Sequence, residues 1–145
     1  MIVLSDYKYI IIPILTVIIS QVIKAIIETI HTRKFSLERL FNGSGGMPSS
    51  HSSLVISLLT LIFIDFGVDS IYFAICLIFG LIVLYDAMGI RYETGKQAEV
   101  LNEISRKIDL PGIKFLKEKI GHKPIEVLGG IITGILLALI LNNFF

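Results

Sequence analysis

The chain has 145 residues, a length that suits one domain (1–145). Hydrophobic residues make up 54% and charged residues only 17%, with a mean hydropathy of +0.81, which excludes an ordinary soluble domain. The net charge of +1 gives no basis for nucleic acid as a partner, and the single cysteine, Cys76, excludes an internal disulfide or a cysteine-based metal site.

The first apolar stretch, Tyr9–Ile27, is interrupted only by Pro13, a few polar residues and Lys24. It is too long for a signal-peptide core and no small-residue cleavage site follows, so it reads as a span. Lys24 stands near one end of that span, and an intramembrane cation is a functional candidate by default. Arg33, Lys34 and Arg39 come next. Asn42 to Ser53 then forms a glycine-rich loop with Gly43, Gly45 and Gly46, running into Pro48, Ser49, Ser50 and His51. Free backbone N–H groups at a helix start, together with the helix dipole, make an anion site. Glycines let the backbone approach the anion, Ser49 or Ser50 can add hydrogen bonds, and His51 in the first turn can protonate a leaving oxygen.

The second span, Ser52–Phe66, reaches spanning length if its helix begins near Pro48. A short link with Asp65 and Asp69 leads to the third, Ile71–Ile90, which carries Asp86 near its end, close to Arg91. Asp86 can hold Arg91 or Lys24 in place. From Arg91 to Lys123 the chain is polar. Thr94 is the expected cap of a surface helix with an apolar stripe at Gln97, Val100, Leu101, Ile104 and Ile108. Pro111-Gly112 should end it, and Ile113–Ile120 is expected to form a second short helix. The fourth span, Val127–Leu141, gains its length if Pro124 starts it. Just before it, His122 and Glu126 stand one helical turn apart, so the carboxylate can fix the imidazole tautomer and leave the other nitrogen as a nucleophile.

Lysines and arginines gather in the segments between spans one and two and between three and four. Both segments should therefore face the cytoplasm. The expected fold is an all-α integral membrane protein with about four transmembrane helices and one or two cytoplasmic surface helices between the third and fourth. Gly129, Gly130 and Gly134 point to close helix packing, with Gly130 and Gly134 in a small-xxx-small spacing that serves either an internal contact or a homodimer.

Taken in order, Gly45 to Ser52, Tyr85 to Arg91, Gln97-Ala98, Leu101-Asn102 and Gly121 to Val127 resemble the divergent branch of the type-2 phosphatidic acid phosphatase family, over about Lys24 to Gly134. The parent family also includes vanadium-dependent haloperoxidases. The resemblance implies a bacterial plasma-membrane phosphatase acting on a lipid phosphate or diphosphate. His122 would be the nucleophile forming a phosphohistidine, oriented by Glu126. His51 would be the general acid and Ser49 a phosphate ligand. Ser50 stands where the parent motif has glycine, and Glu126 where it has aspartate. The parent's first motif is kept at Lys24 but finds Arg33 two places late, and Phe115-Leu116 replace an expected Ser-Arg pair. The phosphate-binding set is then Lys24, Arg33, Gly45, Gly46, Ser49, Ser50 and Arg91, supported by Asp86, with no cofactor and no metal. Two other readings stay open: a magnesium-dependent enzyme using Asp86, Glu93 or Glu126, and a non-catalytic protein that binds or transports a lipid phosphate.

Overall fold

The computed structural model describes residues 7–33, 45–108, 114–118 and 120–145, and its described residues form helices and loops. Helix α1 is Lys8–Thr32, α2 is Ser50–Phe66, α3 is Ile71–Met88, α4 is Ile90–Ile108 and α5 is Pro124–Asn142. Helices α1, α3 and α5 are long and apolar enough to cross a membrane, while α2 is a shorter apolar helix of 17 residues. This is the expected all-α membrane protein. Lys34, Arg39, the Asn42–Ser44 stretch, Pro111-Gly112, Ile113 and Lys119 lie outside the described residues.

Helix α2 occupies the middle of the bundle, packed against α1, α3 and α5. Its central place explains how a short helix with Ser52, Ser53 and Ser57 fully buried is tolerated, because its polar side meets protein and not lipid. Helix α1 shows the complementary pattern. Ile10, Ile14, Ile18, Val22 and Ile26 are exposed on one face, whereas Ile12, Thr16, Ser20 and Lys24 are buried on the other. One face therefore suits hydrocarbon and the other is turned inward.

Three rows at four-residue spacing meet along the bundle axis, as expected where i±4 ridges interlock. Near one end Lys8 Nζ lies 2.7 Å from Asp65 Oδ2 and donates to Asn142 Oδ1 at 3.1 Å, and Tyr9 donates to Asp65 at 2.6 Å. The next layer is Ile12, Leu61 and Ala138, each fully buried. Above it α5 offers no side chain at Gly134 and Gly130. A Cβ at Gly134 would meet Ser53 O at 2.8 Å, and one at Gly130 would meet Ser49 O at 2.5 Å. The small-xxx-small spacing is thus used within the chain, to seat α5 on α2.

Two expected elements differ. Helix α4 begins at Ile90, and Thr94 lies inside it with Oγ1 donating to Ile90 O at 2.7 Å. Gly89 alone makes the break from α3, so the helix restarts without a polar cap. The described part of Ile113–Ile120 is not helical. It runs along α4, where Asn102 exchanges two hydrogen bonds with the Leu116 backbone, Nδ2 to O at 2.9 Å and N to Oδ1 at 2.8 Å. Gly95 gives this segment room, since a Cβ there would stand 2.3 Å from Glu118 O.

Gly134→Ala is expected to lower the melting temperature in detergent by an amount matching a loss of about 1–3 kcal/mol, the usual cost of overpacking. Gly80→Ala, whose Cβ would meet Val55 Cγ2 at a comfortable 3.9 Å, should melt close to wild type.

Candidate functional site

The end of α1 holding Lys24, the start of α2, the end of α3 and the start of α5 come together at one end of the bundle. The turn that enters α2 has Gly45 at φ 72° and Gly46 at φ 85°, left-handed values that disfavour any side chain. A Cβ at Gly46 would stand 3.4 Å from Lys24 Cγ, so this turn lies over the lysine stem. Ser49 caps α2: its Oγ accepts from Ser52 N at 3.4 Å and from Ser52 Oγ at 2.9 Å. Its own N–H donates to Glu126 O at 3.0 Å, which joins the entry of α2 directly to α5.

His122 is held from three sides. Gly121 passes so close to the start of α4 that a Cβ would stand 2.3 Å from Tyr92 Cα. The next N–H, that of His122, donates to Ala87 O at the end of α3 at 3.0 Å. The ring Nδ1 lies 3.2 Å from Glu126 Oε2, and that same oxygen accepts from Lys123 N at 3.0 Å. A carboxylate only accepts, so the proton sits on Nδ1 and the lone pair on Nε2. His122 is 2% exposed. Burial pushes its pKa below the ordinary 6.5, the charge of Lys24 acts in the same direction, and Glu126 opposes them by its hydrogen bond and its charge.

The remaining expected residues divide by place. Lys24 is 5% exposed and its Nζ has no hydrogen-bond partner among the described residues, although Glu126 and Glu28 lie within electrostatic reach. Ser50 Oγ is likewise buried and unpartnered among the described residues. Ser49, the serine the resemblance assigns to phosphate, is fully buried with its hydroxyl oxygen accepting both cap bonds, whereas Ser50 Oγ has no partner among the described residues. His51 is exposed on the first turn of α2, where Arg91, Lys24 and Asp86 are the charges that reach it. Asp86 pairs with Arg91, whose Nε donates to it. Arg33 is exposed and closes α1, about 13 Å along the axis from Lys24 at ~1.5 Å per residue.

An open cleft of about 460 Å³ lies at this end of the bundle, lined by Gly45, Gly46, Gly121 and Glu126. Its walls add Glu28, Glu99 and Glu118, balanced by Lys96 and Lys123. Sequence reasoning missed this carboxylate wall, because Glu28, Glu99 and Glu118 are far apart along the chain and each looks like an ordinary surface charge. The carboxylates considered for magnesium are engaged elsewhere: Asp86 with Arg91, Glu93 with Lys96 and Glu126 with His122. Among the described residues no three His, Cys, Asp or Glu side chains converge as a metal-binding group.

The environment of His122 can be read by nitrogen NMR of the labelled ring. Lys24→Met should raise the His122 pKa by removing a repelling charge, and Glu126→Gln should lower it further by removing the group that favours the imidazolium. Opposite or absent shifts would show that these side chains do not face the ring.

The divergent PAP2 family matches residues 5–137 of the chain. A protein of Bacillus subtilis (strain 168) described as "Uncharacterized membrane protein YuiD" is 42% identical over 143 residues, covering 89% of this chain and 90% of that protein. No solved structure matches. The matched span takes in both histidine motifs and all but the end of α5, and on that extent the chain belongs to the divergent PAP2 family of membrane proteins.

Proposed function

We propose that the protein is a membrane phosphatase that hydrolyses a lipid phosphate through His122. The observation that carries this reading is a buried imidazole, its Nδ1 fixed by Glu126, at the same end of the bundle as the buried, unpartnered Lys24 Nζ and Ser50 Oγ. A neutral imidazole with a free Nε2 is a nucleophile, and the lowered pKa of His122 keeps it neutral at physiological pH. Lys24, Ser50 and the Gly45–Gly46 turn supply positive charge and donors for the phosphoryl oxygens, which is where most catalysis of phosphoryl transfer arises.

In the first half-reaction Nε2 of His122 bonds to phosphorus, the ester P–O bond breaks, and His51 gives a proton to the departing alkoxide. In the second, water attacks the phosphohistidine, the P–N bond breaks and His51 takes the water proton. His122 is buried in this structure, and the Gly45–Gly46 turn lies over the Lys24 stem. The four glutamates of the cleft favour a monophosphate over a diphosphate, since the second phosphate would add charge beside like charge. The basic side chains Arg91, Lys96 and Lys123 at this end support a cytoplasmic placement for it. The substrate is then a lipid phosphate of the cytoplasmic leaflet.

Purified protein in mixed micelles should release phosphate from phosphatidic acid or a similar lipid monophosphate in the presence of a chelator. His122→Ala should abolish release and His51→Ala should lower it by roughly 10²–10⁴-fold, the range for general acid–base catalysis. As pH falls, protonation of His122 removes the nucleophile, so the acid limb of the phosphoryl-transfer rate should lie below 6.5. The exposed Phe115 and Leu116, standing where the parent family keeps a Ser-Arg pair, favour a second reading in which phosphate is bound without turnover. Folded wild-type protein that binds these lipids and releases no phosphate would establish that reading in place of the first.

A further inference from the structure

Serine and threonine hydroxyls within transmembrane helices commonly bond back to a carbonyl one turn earlier. That is the rule here: Thr29 to Ala25 on α1, Ser53 to Ser49 and Thr60 to Ile56 on α2, and Thr133 to Gly129 on α5. Thr16 and Ser20 of α1 break it. Both are fully buried, and neither hydroxyl has a partner among the described residues. Gln21 Oε1, beside Ser20, is in the same position.

These groups are not scattered. Thr16 and Ser20 fill the α1 row between Lys24 at the candidate site and Ile12, on the face turned towards α2 and α5. Ser53 and Ser57 of α2 occupy the corresponding stretch of the neighbouring row. Below Thr16 the interior becomes apolar at Ile12, Leu61 and Ala138. The bundle interior is therefore polar from the site inward for about two helical turns and then sealed.

A buried hydroxyl or amide oxygen left without a partner costs free energy, all the more within a bilayer, and native proteins meet that cost with a bound polar ligand. A cation is the wrong ligand, because Lys24 stands at the mouth of the stretch and the buried part of α1 has no carboxylate to offset its charge. An apolar chain would leave the hydroxyls unsatisfied. Water supplies both donors and acceptors and fits sites with several polar partners. We infer that the inner face of α1 from Lys24 to Thr16 is a water-binding groove, continuous with the candidate site and closed by the Ile12–Leu61–Ala138 layer. Resting on the phosphatase reading, this groove supplies the water that cleaves the phosphohistidine from the protein side, while the lipid substrate occupies the other approach.

Hydroxyl-radical oxidation followed by mass spectrometry tests the groove, since radicals form from water and attack the thiols next to it. Ser20→Cys, Thr16→Cys and Ile12→Cys would be prepared in the full chain, with native Cys76, buried on α3, as an internal reference. The thiols introduced at Ser20 and Thr16 should oxidise several-fold faster than those at Ile12 and Cys76. Oxidation of both at the Ile12→Cys rate, in protein that remains monodisperse, would overturn the groove. Ser20→Cys is nearly isosteric, so it decides the matter if Thr16→Cys fails to fold. A second arm follows the chemistry: Thr16→Val combined with Ser20→Ala should leave phosphohistidine formation near wild type but slow its hydrolysis several-fold. Unchanged hydrolysis would overturn the supply role. If wild type forms no phosphohistidine, the phosphatase reading falls, and the oxidation rates still decide the groove by themselves.

Discussion

The approach of α5 to α2 is the contact from which the rest of the site follows. Gly130 and Gly134 bring the two backbones together until a single added carbon would strike Ser49 O or Ser53 O. At that separation the N–H of Ser49 reaches Glu126 O, so the first turns of both helices are tied side by side. His51 rides on one of those turns, and Glu126 on the other holds His122. Larger residues at the two glycines would part the helix starts and with them the two histidines. In a membrane, where lipid is as apolar as leucine and apolar side chains gain little by associating, close packing of small residues is the natural means of holding such a pair.

That same packing lets the chain keep polar groups inside. Helix α2 has its serines where they meet α1 and α5, and α1 turns Thr16, Ser20 and Lys24 inward while its isoleucines face outward. The usual relation of a soluble helix is reversed. The far end of the axis is closed by the Ile12–Leu61–Ala138 layer and by the Lys8–Asp65–Asn142 cluster beyond it. One end of the bundle is built to stay shut, and the other presents donors and a cation.

The four apolar helices, the role of glycines on the last one and the pairing of His122 with Glu126 were all legible from the sequence, because each rests on local spacing. Hydropathy over about 20 residues finds a span, and a His and a Glu one turn apart need no tertiary knowledge. What sequence reading missed depends on contacts between distant segments. Thr94 looks like a cap, but Gly89 already breaks the chain and Thr94 is left inside α4. Ile113–Ile120 has a helical composition, yet Asn102 and Gly95 offer the backbone of its described part partners and space outside a helix. Ser49 and Ser50 look alike in the sequence, and only the fold shows Ser49 Oγ accepting the cap bonds while Ser50 Oγ has no partner among the described residues. Thr16 and Ser20 carried no signal at all, since hydropathy counts them as near neutral and only burial reveals where they point. Arg33 was named from charge and motif position, and the fold sets it at the C-terminal end of α1, beyond Lys24.

Lys24 ties these features to the proposed anion binding. Its amine is enclosed by protein, crossed by the Gly46 turn, and without a hydrogen-bond partner among the described residues. An ammonium in that position has given up hydration, and the carboxylates of Glu126 and Glu28 act on it through space without donating or accepting in its place. An anion arriving beside it recovers Coulomb energy that water would otherwise screen. The energy recovered is greatest when negative charge is most concentrated on the phosphoryl oxygens, which favours a phosphate monoester over a neutral headgroup. The same enclosure lowers the pKa of His122, first by burial of the ring and then through the positive charge of Lys24. Enclosure of this end of the bundle thus serves both requirements of the proposed chemistry, an attractive field from Lys24 for the phosphate and an unprotonated His122 ring for the attack.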